Sequence, residues 1–127
     1  MNIDKAIGHL SRSYSPYSKF KVAAVLETMD GELYTGVNIE NASYPASNCA
    51  ERTAFFSAIN DGHRYFKSIV IVSSASEYTP PCGICRQVMA EFCGPDFEII
   101  LAKDEDDFIV RKLADLLPLS FNKEDLI

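Results

Sequence analysis

Three cysteines and one glutamate carry the chemistry legible in this chain: Cys49-Ala50-Glu51, and later Cys82-Gly83-Ile84-Cys85 preceded by Pro80-Pro81. Three soft ligands leave one position open on a tetrahedral zinc ion, whereas a structural site usually fills all four. The set predicts one zinc per chain on Cys49, Cys82 and Cys85, with Glu51 close enough to reach the open position. Zinc lowers the pKa of a bound water toward ~7. A carboxylate beside it takes the water proton and delivers it to a substrate, then to the leaving group. Water attack on an amidine-like carbon with loss of ammonia, a hydrolytic deamination, is one reaction this set supports.

Competing readings of the same residues exist. Cys93, at the end of the helix predicted after Cys82, would close the site as a fourth thiolate and make the zinc purely structural. As a buried free thiol it would be a small core residue. Asn48 to Glu51 also fits a helix capping box, and Cys82 with Cys85 fits a redox pair. Three thiolates around a dication leave a net negative site, which a nearby cation offsets. Arg52 is the favoured cation because its neighbours fix it close to Cys49, and Arg86 reads as a structural salt-bridge partner.

These residues need elements to position them. Ile3, Ala6, Ile7 and Leu10 recur at helical spacing, predicting an amphipathic helix over residues 4–14 that Pro16 ends. Ser15 to Lys19 reads as a polar turn and Phe20 to Thr28 as a strand. Asp30-Gly31 is a hairpin signal before a second strand from Glu32 to about Ile39. A loop over residues 38–48 leads to a helix from Cys49 to about Ile59, stopped by Gly62, with Ala50, Ala54, Phe55 and Ala58 on one side. Lys67 to Ser74 is a continuous apolar strand of the doubly buried kind. A helix from Cys82 to Phe92, a buried strand from Phe97 to Ala102, a short strand at Phe108 to Val110 and a last turn at Leu113 to Leu117 complete the chain. The acidic stretch Asp104 to Asp107 reads as a solvated loop, and Phe20, Phe55, Phe56 and Phe66 as core, Phe20 alone being also a candidate ligand contact. Strands alternating with helices predict an α/β fold: a three-layer α-β-α sandwich on a mixed five-stranded sheet, as one domain over residues 1–127. Both cysteine motifs then fall at helix N-termini, where unpaired N–H groups favour thiolate over thiol.

Composition excludes several classes of partner. Lys and Arg number 12 against 18 Asp and Glu, a net charge of −6, which argues against nucleic acid because that binding is driven by cations displacing counterions. No signal-peptide pattern opens the chain, and the longest apolar runs, Val22 to Leu26 and Ile69 to Val72, are too short to span a bilayer. The expected compartment is the cytoplasm, where four cysteines point to metal or catalysis before disulfides. His9 and His63 have no metal spacing to the cysteines.

Cys-x-Glu followed by Pro-Cys-x-x-Cys is a general signature of zinc deaminases, and here the likeness runs much further. The segments Tyr14-Ser15-Pro16-Tyr17-Ser18-Lys19-Phe20, Gly36-Val37-Asn38-Ile39-Glu40-Asn41, Cys49-Ala50-Glu51-Arg52-Thr53-Ala54, Pro81-Cys82-Gly83-Ile84-Cys85-Arg86-Gln87 and Leu116-Leu117-Pro118 with Phe121 resemble the small cytidine deaminases of pyrimidine salvage, in their three-cysteine form. The resemblance implies conversion of cytidine and deoxycytidine to the uridine forms with release of ammonia. It implies zinc on Cys49, Cys82 and Cys85, Glu51 as proton shuttle, Asn38 and Glu40 on the ribose hydroxyls, Phe20 near the pyrimidine and the Ala50 backbone reading the base edge. It also implies a homotetramer in which Phe121 reaches a neighbouring subunit's site. Two segments depart from the family pattern, Val22-Ala23-Ala24-Val25 and Leu119-Ser120, and bear on sheet packing and the contact between subunits. The alternatives are a deaminase of a blasticidin-type nucleoside antibiotic and a structural four-thiolate zinc module.

Overall fold

The structure is a computed structural model that describes residues 1–126. Its centre is a run of small and β-branched residues that can lie flat between two layers. Val22 to Leu26 are all buried, because strand β1 (Val22–Thr28) has strands on both sides and helices on both faces. Gly31, at a φ of +90°, turns the chain into β2 (Leu33–Val37), antiparallel to β1. Strand β3 (Phe66–Ser73) pairs antiparallel on the other side of β1. A helical crossover then returns the chain to β4 (Glu98–Asp104), parallel to β3, and β5 (Asp107–Lys112) closes the edge antiparallel to β4. The order is β2-β1-β3-β4-β5, a mixed five-stranded sheet.

Alternation of side chains along the strands divides the core in two. On one face Ala24, Leu26, Ile69, Ile71, Ile99 and Leu101 pack against three helices: α2 (Ala50–Asn60), α3 (Gly83–Phe92) and α4 (Leu113–Leu116). Phe55 is fully buried between Phe66 and Phe97, with ring centroids 5.0 and 6.0 Å away, a burial that contributes about 2–3 kcal/mol. On the other face Ala23, Val25, Val70, Val72 and Ile100 meet Ile3 and Ala6 of α1 (Ile3–His9). The expected three-layer sandwich is thus the observed one. The Val22-Ala23-Ala24-Val25 departure is absorbed within it, Ala23 and Val25 facing α1 and Ala24 facing α2.

Four local expectations are corrected. The first helix ends at His9 and tightens into a 3₁₀ turn over Leu10–Arg12, because Tyr14 leaves the helix to pair with the 38–40 segment. Its N–H donates to the Asn38 carbonyl at 3.0 Å, and its carbonyl accepts from the Glu40 N–H at 2.8 Å. β1 starts at Val22, since side chains rather than strand partners hold the backbone of Phe20. β5 runs to Lys112; its exposed end carries Arg111 and Lys112, so an edge strand hid behind charge. Phe20 and Phe56 lie outside the core, 38% and 48% exposed, Phe56 on the outer side of α2.

One glycine in a strand decides where α2 sits. At Gly36 a Cβ would overlap the Ala50 carbonyl oxygen and the Ala54 amide nitrogen, so the first turn of α2 rests directly on the β2 backbone. The Gly36→Ala variant is expected to lose about 3 kcal/mol of stability, the upper range for overpacking, because backbone rather than a flexible side chain must move. A thermal melt of the variant checks this, and an unchanged midpoint would remove the close approach.

Candidate active site

The site is built where two helices begin. Cys49 is the N-cap residue of α2 and Cys82 that of α3, both with extended backbone, so each sulfur sits at the positive end of a helix. Cys85, in the first turn of α3, is buried, and its N–H donates to the Cys82 sulfur at 3.4 Å. The Cys49 and Cys82 sulfurs are 3.6 Å apart, and the sulfurs of Cys49, Cys82 and Cys85 all lie within 4.8 Å of one another. That spacing is far beyond a disulfide and close to the edge, about 3.8 Å, of a tetrahedron whose Zn–S bonds are about 2.3 Å. The donor set fits one zinc ion. Among the described residues Cys93 is not part of this cluster; it is a free thiol at the far end of α3, pushed up to about 12 by burial. The site has three thiols and room for one more ligand.

Electrostatics favour the same arrangement. Cys49 is lowered to about 5, first by its hydrogen bond with Cys85, then by those with Arg52 and Cys82. The Arg52 Nη2 donates to the Cys49 sulfur at 3.3 Å, placing the expected cation against the negative cluster. The Arg52 Nε is buried without a hydrogen-bond partner among the described residues, so the guanidinium is held by its charge toward the sulfurs and not by a complete set of hydrogen bonds. Cys85 is pushed up, first by the Cys49 sulfur and then by burial. A metal dication removes this competition, since a coordinating thiol is deprotonated outright.

Glu51 is 4% exposed, and burial pushes it up to about 7, with the Cys49 thiolate adding to the rise. A carboxyl poised near neutrality is suited to moving protons both ways. It does not serve as the second half of a capping box: Cys49, not Asn48, caps the helix, and no side chain caps it. The Asn48 side chain instead donates to the Thr53 hydroxyl at 3.1 Å.

A second cluster adjoins the first. Ile39 and Asn48 exchange backbone hydrogen bonds of 2.9 Å, which ties the 38–40 segment to the residue before Cys49. Asn38 spends most of its amide on the fold: its oxygen accepts from the Val22 N–H and the Ser13 hydroxyl, and its nitrogen donates to the Phe20 carbonyl at 2.7 Å. One N–H remains. Glu40 accepts from the N–H groups of Tyr17 and Ser18, each at 3.1 Å, and from the Ser18 hydroxyl, which leaves one acceptor position. These bonds, led by the Ser18 hydroxyl, hold its carboxyl below the ordinary value. Tyr17, Ser18, Glu40, Tyr44 and Ser47 line a cavity of about 360 Å³. A larger depression of about 510 Å³ lies away from the sulfurs, beside Cys93 and the C-terminal segment.

The structure therefore brings Cys49, Cys82, Cys85, Ala50, Glu51 and Arg52 together, with Asn38, Glu40 and Phe20 alongside. Phe121 stands apart, 59% exposed, its carbonyl accepting from the Gln87 side chain at 2.7 Å. Among the described residues Arg86 has no acidic partner: its guanidinium donates to the carbonyls of Pro81, at 2.8 Å, and Leu116, at 2.7 Å, fixing the loop that presents Cys82. Thr53 was missed by sequence reasoning; its hydroxyl is 3.1 Å from the carbonyls of Val37 and Cys49 and ties β2 to the start of α2. A threonine in the first turn of a helix bonding back to its own N-cap carbonyl is the signal that finds it.

An α/β sheet that gathers three thiols, a buried carboxylate and an arginine at two helix N-termini defines a zinc-dependent hydrolytic enzyme. Comparison with known proteins makes the class specific. The model of the family described as "Cytidine and deoxycytidylate deaminase zinc-binding region" matches residues 2–100. The cytidine deaminase of Sporosarcina psychrophila is 45% identical over 130 residues, covering 99% of this chain and 96% of the relative. The probable cytidine deaminase of Dictyostelium discoideum is 41% identical over 98% of this chain and 84% of its own. The crystal structure of cytidine deaminase from Burkholderia pseudomallei superposes with a TM-score of 0.88 at 45% identity, covering 94% of this chain and 95% of that one. The chain belongs to the cytidine and deoxycytidylate deaminase zinc-binding family, with one zinc per chain.

Proposed function

We propose that the protein hydrolyses cytidine and deoxycytidine to uridine and deoxyuridine with release of ammonia, as a step of pyrimidine salvage. The observation that carries this reading is the three-sulfur cluster with buried Glu51 beside it and no fourth sulfur from Cys93. Cys49, Cys82 and Cys85 hold the zinc. Zinc bound there supplies the Lewis acidity that makes water a nucleophile at neutral pH. Glu51 takes the proton that water loses on adding to the ring carbon bearing the amine, and hands it to the ring nitrogen. The remaining hydroxyl proton then passes through Glu51 to the amine, which leaves as ammonia and gives the carbonyl of uridine. Arg52 offsets the charge of the sulfurs.

The sugar end is read by Asn38 and Glu40. One spare N–H beside one spare acceptor position suits a ribose hydroxyl, which both accepts and donates. That pairing favours a ribonucleoside or deoxyribonucleoside over an antibiotic with a different sugar. Phe20, 38% exposed, offers a ring to the pyrimidine, and the Ala50 backbone at the start of α2 reads the base edge. Phe121 acts on a neighbouring subunit within a homotetramer; its exposure, with that of Phe56 and Ile84, supports burial between copies. The partner is a small nucleoside, not a nucleic acid, in keeping with a net charge of −6. No helix among the described residues is long and apolar enough to cross a membrane. Four free cysteines support a reducing, cytoplasmic setting. Both halves of the core share one sheet, which supports a single domain over residues 1–127.

The direct test follows the ultraviolet absorbance of cytidine with purified protein, with and without a zinc chelator. Steady loss of the cytidine band that stops on chelation is the expected result. No change with any cytosine nucleoside would remove the reading.

A further inference from the structure

The turn before β1 carries more order than an exposed loop requires. Lys19 has a φ of +61°, in the left-handed region that side chains other than glycine seldom adopt, so its neighbours must hold it there. Its N–H donates to the Ser15 carbonyl at 3.1 Å, which closes the turn from below. The remaining restraints converge on one hydroxyl. Ser18 Oγ donates to Glu40 Oε2 and accepts from the Phe20 N–H at 3.0 Å. Its only proton goes to Glu40, and a lone pair takes the Phe20 amide. Glu40 Oε1, in turn, accepts the N–H groups of Tyr17 and Ser18, so three hydrogen bonds hold the carboxylate and one acceptor position is left. Phe20 is pinned on its other side by Asn38, through its carbonyl. Each backbone polar group of Phe20 is therefore held by a side chain, from Ser18 and from Asn38.

We propose that Ser18 is a positioning residue whose hydroxyl couples the Glu40 carboxylate to the Phe20 amide and so sets the sugar contact and the base contact together. This rests on the reading above, in which Glu40 meets the sugar and Phe20 the pyrimidine. Ser18 itself need touch neither. Without the hydroxyl, Glu40 Oε2 loses its donor and rotates, and the Phe20 N–H turns to solvent. Both changes weaken ground-state and transition-state binding alike, which raises KM and leaves kcat nearly intact.

The test is steady-state kinetics with cytidine for the wild type and for Ser18→Ala, Ser18→Thr and Glu40→Ala. Ser18→Ala is expected to raise KM by about tenfold, the loss of one hydrogen bond to a charged group, with kcat within about threefold of wild type. Ser18→Thr keeps the hydroxyl and should return KM to within about twofold. A fall in kcat at unchanged KM, or a threonine variant no better than alanine, would overturn the proposal. If Ser18→Ala does not fold, Ser18→Cys stands in for it, a near-isosteric weak donor that should still raise KM. Glu40→Ala separates the two levels of the argument. If it raises KM while Ser18→Ala does not, the coupling fails and the sugar reading stands. Should Glu40→Ala leave KM unchanged, the sugar reading itself is wrong.

Discussion

Glu51→Gln is expected to keep its zinc and lose turnover by roughly 10²–10⁴-fold, the usual contribution of a positioned acid–base group. The amide has the shape of the carboxyl and the same buried seat, so the fold and the sulfur cluster have no reason to change. What it cannot do is accept a proton from water and release it again. Burial pushes Glu51 up to about 7, which suits a carboxyl that takes a proton and gives it back, and glutamine has no such group. The measurement is kcat for cytidine together with zinc content by atomic absorption. Because the same interaction is lost in the transition state and not in binding, KM should move far less than kcat. A variant with full zinc and full activity would take the proton route away from Glu51.

How much of this was legible before the structure depends on whether a residue acts through its own chemistry or through its neighbours. Cys49, Cys82, Cys85 and Glu51 announce themselves because few other functions need thiols and a carboxylate at that spacing. The layers were legible too, since Ile69 to Val72 is apolar without interruption, as a strand covered on both faces must be. Residues that work by filling or leaving space gave almost no sign. Gly36 looks like a weak point in a strand until Ala50 and Ala54 are seen resting on it. Arg86 was expected to find a carboxylate; two carbonyl groups that no sequence pattern places near it, Pro81 and Leu116, take that role. The end of α1 was misjudged for the same reason. Periodicity continues to Leu10, but the pairing of Tyr14 with the 38–40 segment is a contact between distant parts of the chain and overrides it. Ser18 carries nothing in its type to separate it from the other serines around it; only its two partners do.

Cys85→Ser should lose the zinc and with it both activity and a large part of the stability, while Cys93→Ala should lose neither. Cys85 is 1% exposed and sits inside the sulfur cluster, so no other thiol among the described residues can replace it. Serine is a poor ligand for zinc beside two thiolates, and two remaining sulfurs no longer define a tetrahedral site. The ion would tie the N-terminus of α2 to that of α3, two helices that otherwise meet through the apolar core on the same face of the sheet. A ligand bound only by the folded state, present at about a thousand times its dissociation constant, contributes about 4 kcal/mol. That is the expected gap between the wild type and Cys85→Ser in thermal or urea unfolding. Chelation should lower the wild-type midpoint and leave the variant's unmoved, which separates loss of the ion from loss of packing. Cys93→Ala removes a half-buried sulfur at the other end of α3 at a cost of about 1 kcal/mol. It should retain one zinc and a kcat within about twofold of wild type. If zinc left Cys93→Ala as readily as it leaves Cys85→Ser, the site would hold four thiolates and no open position, and a deaminase could not work from it.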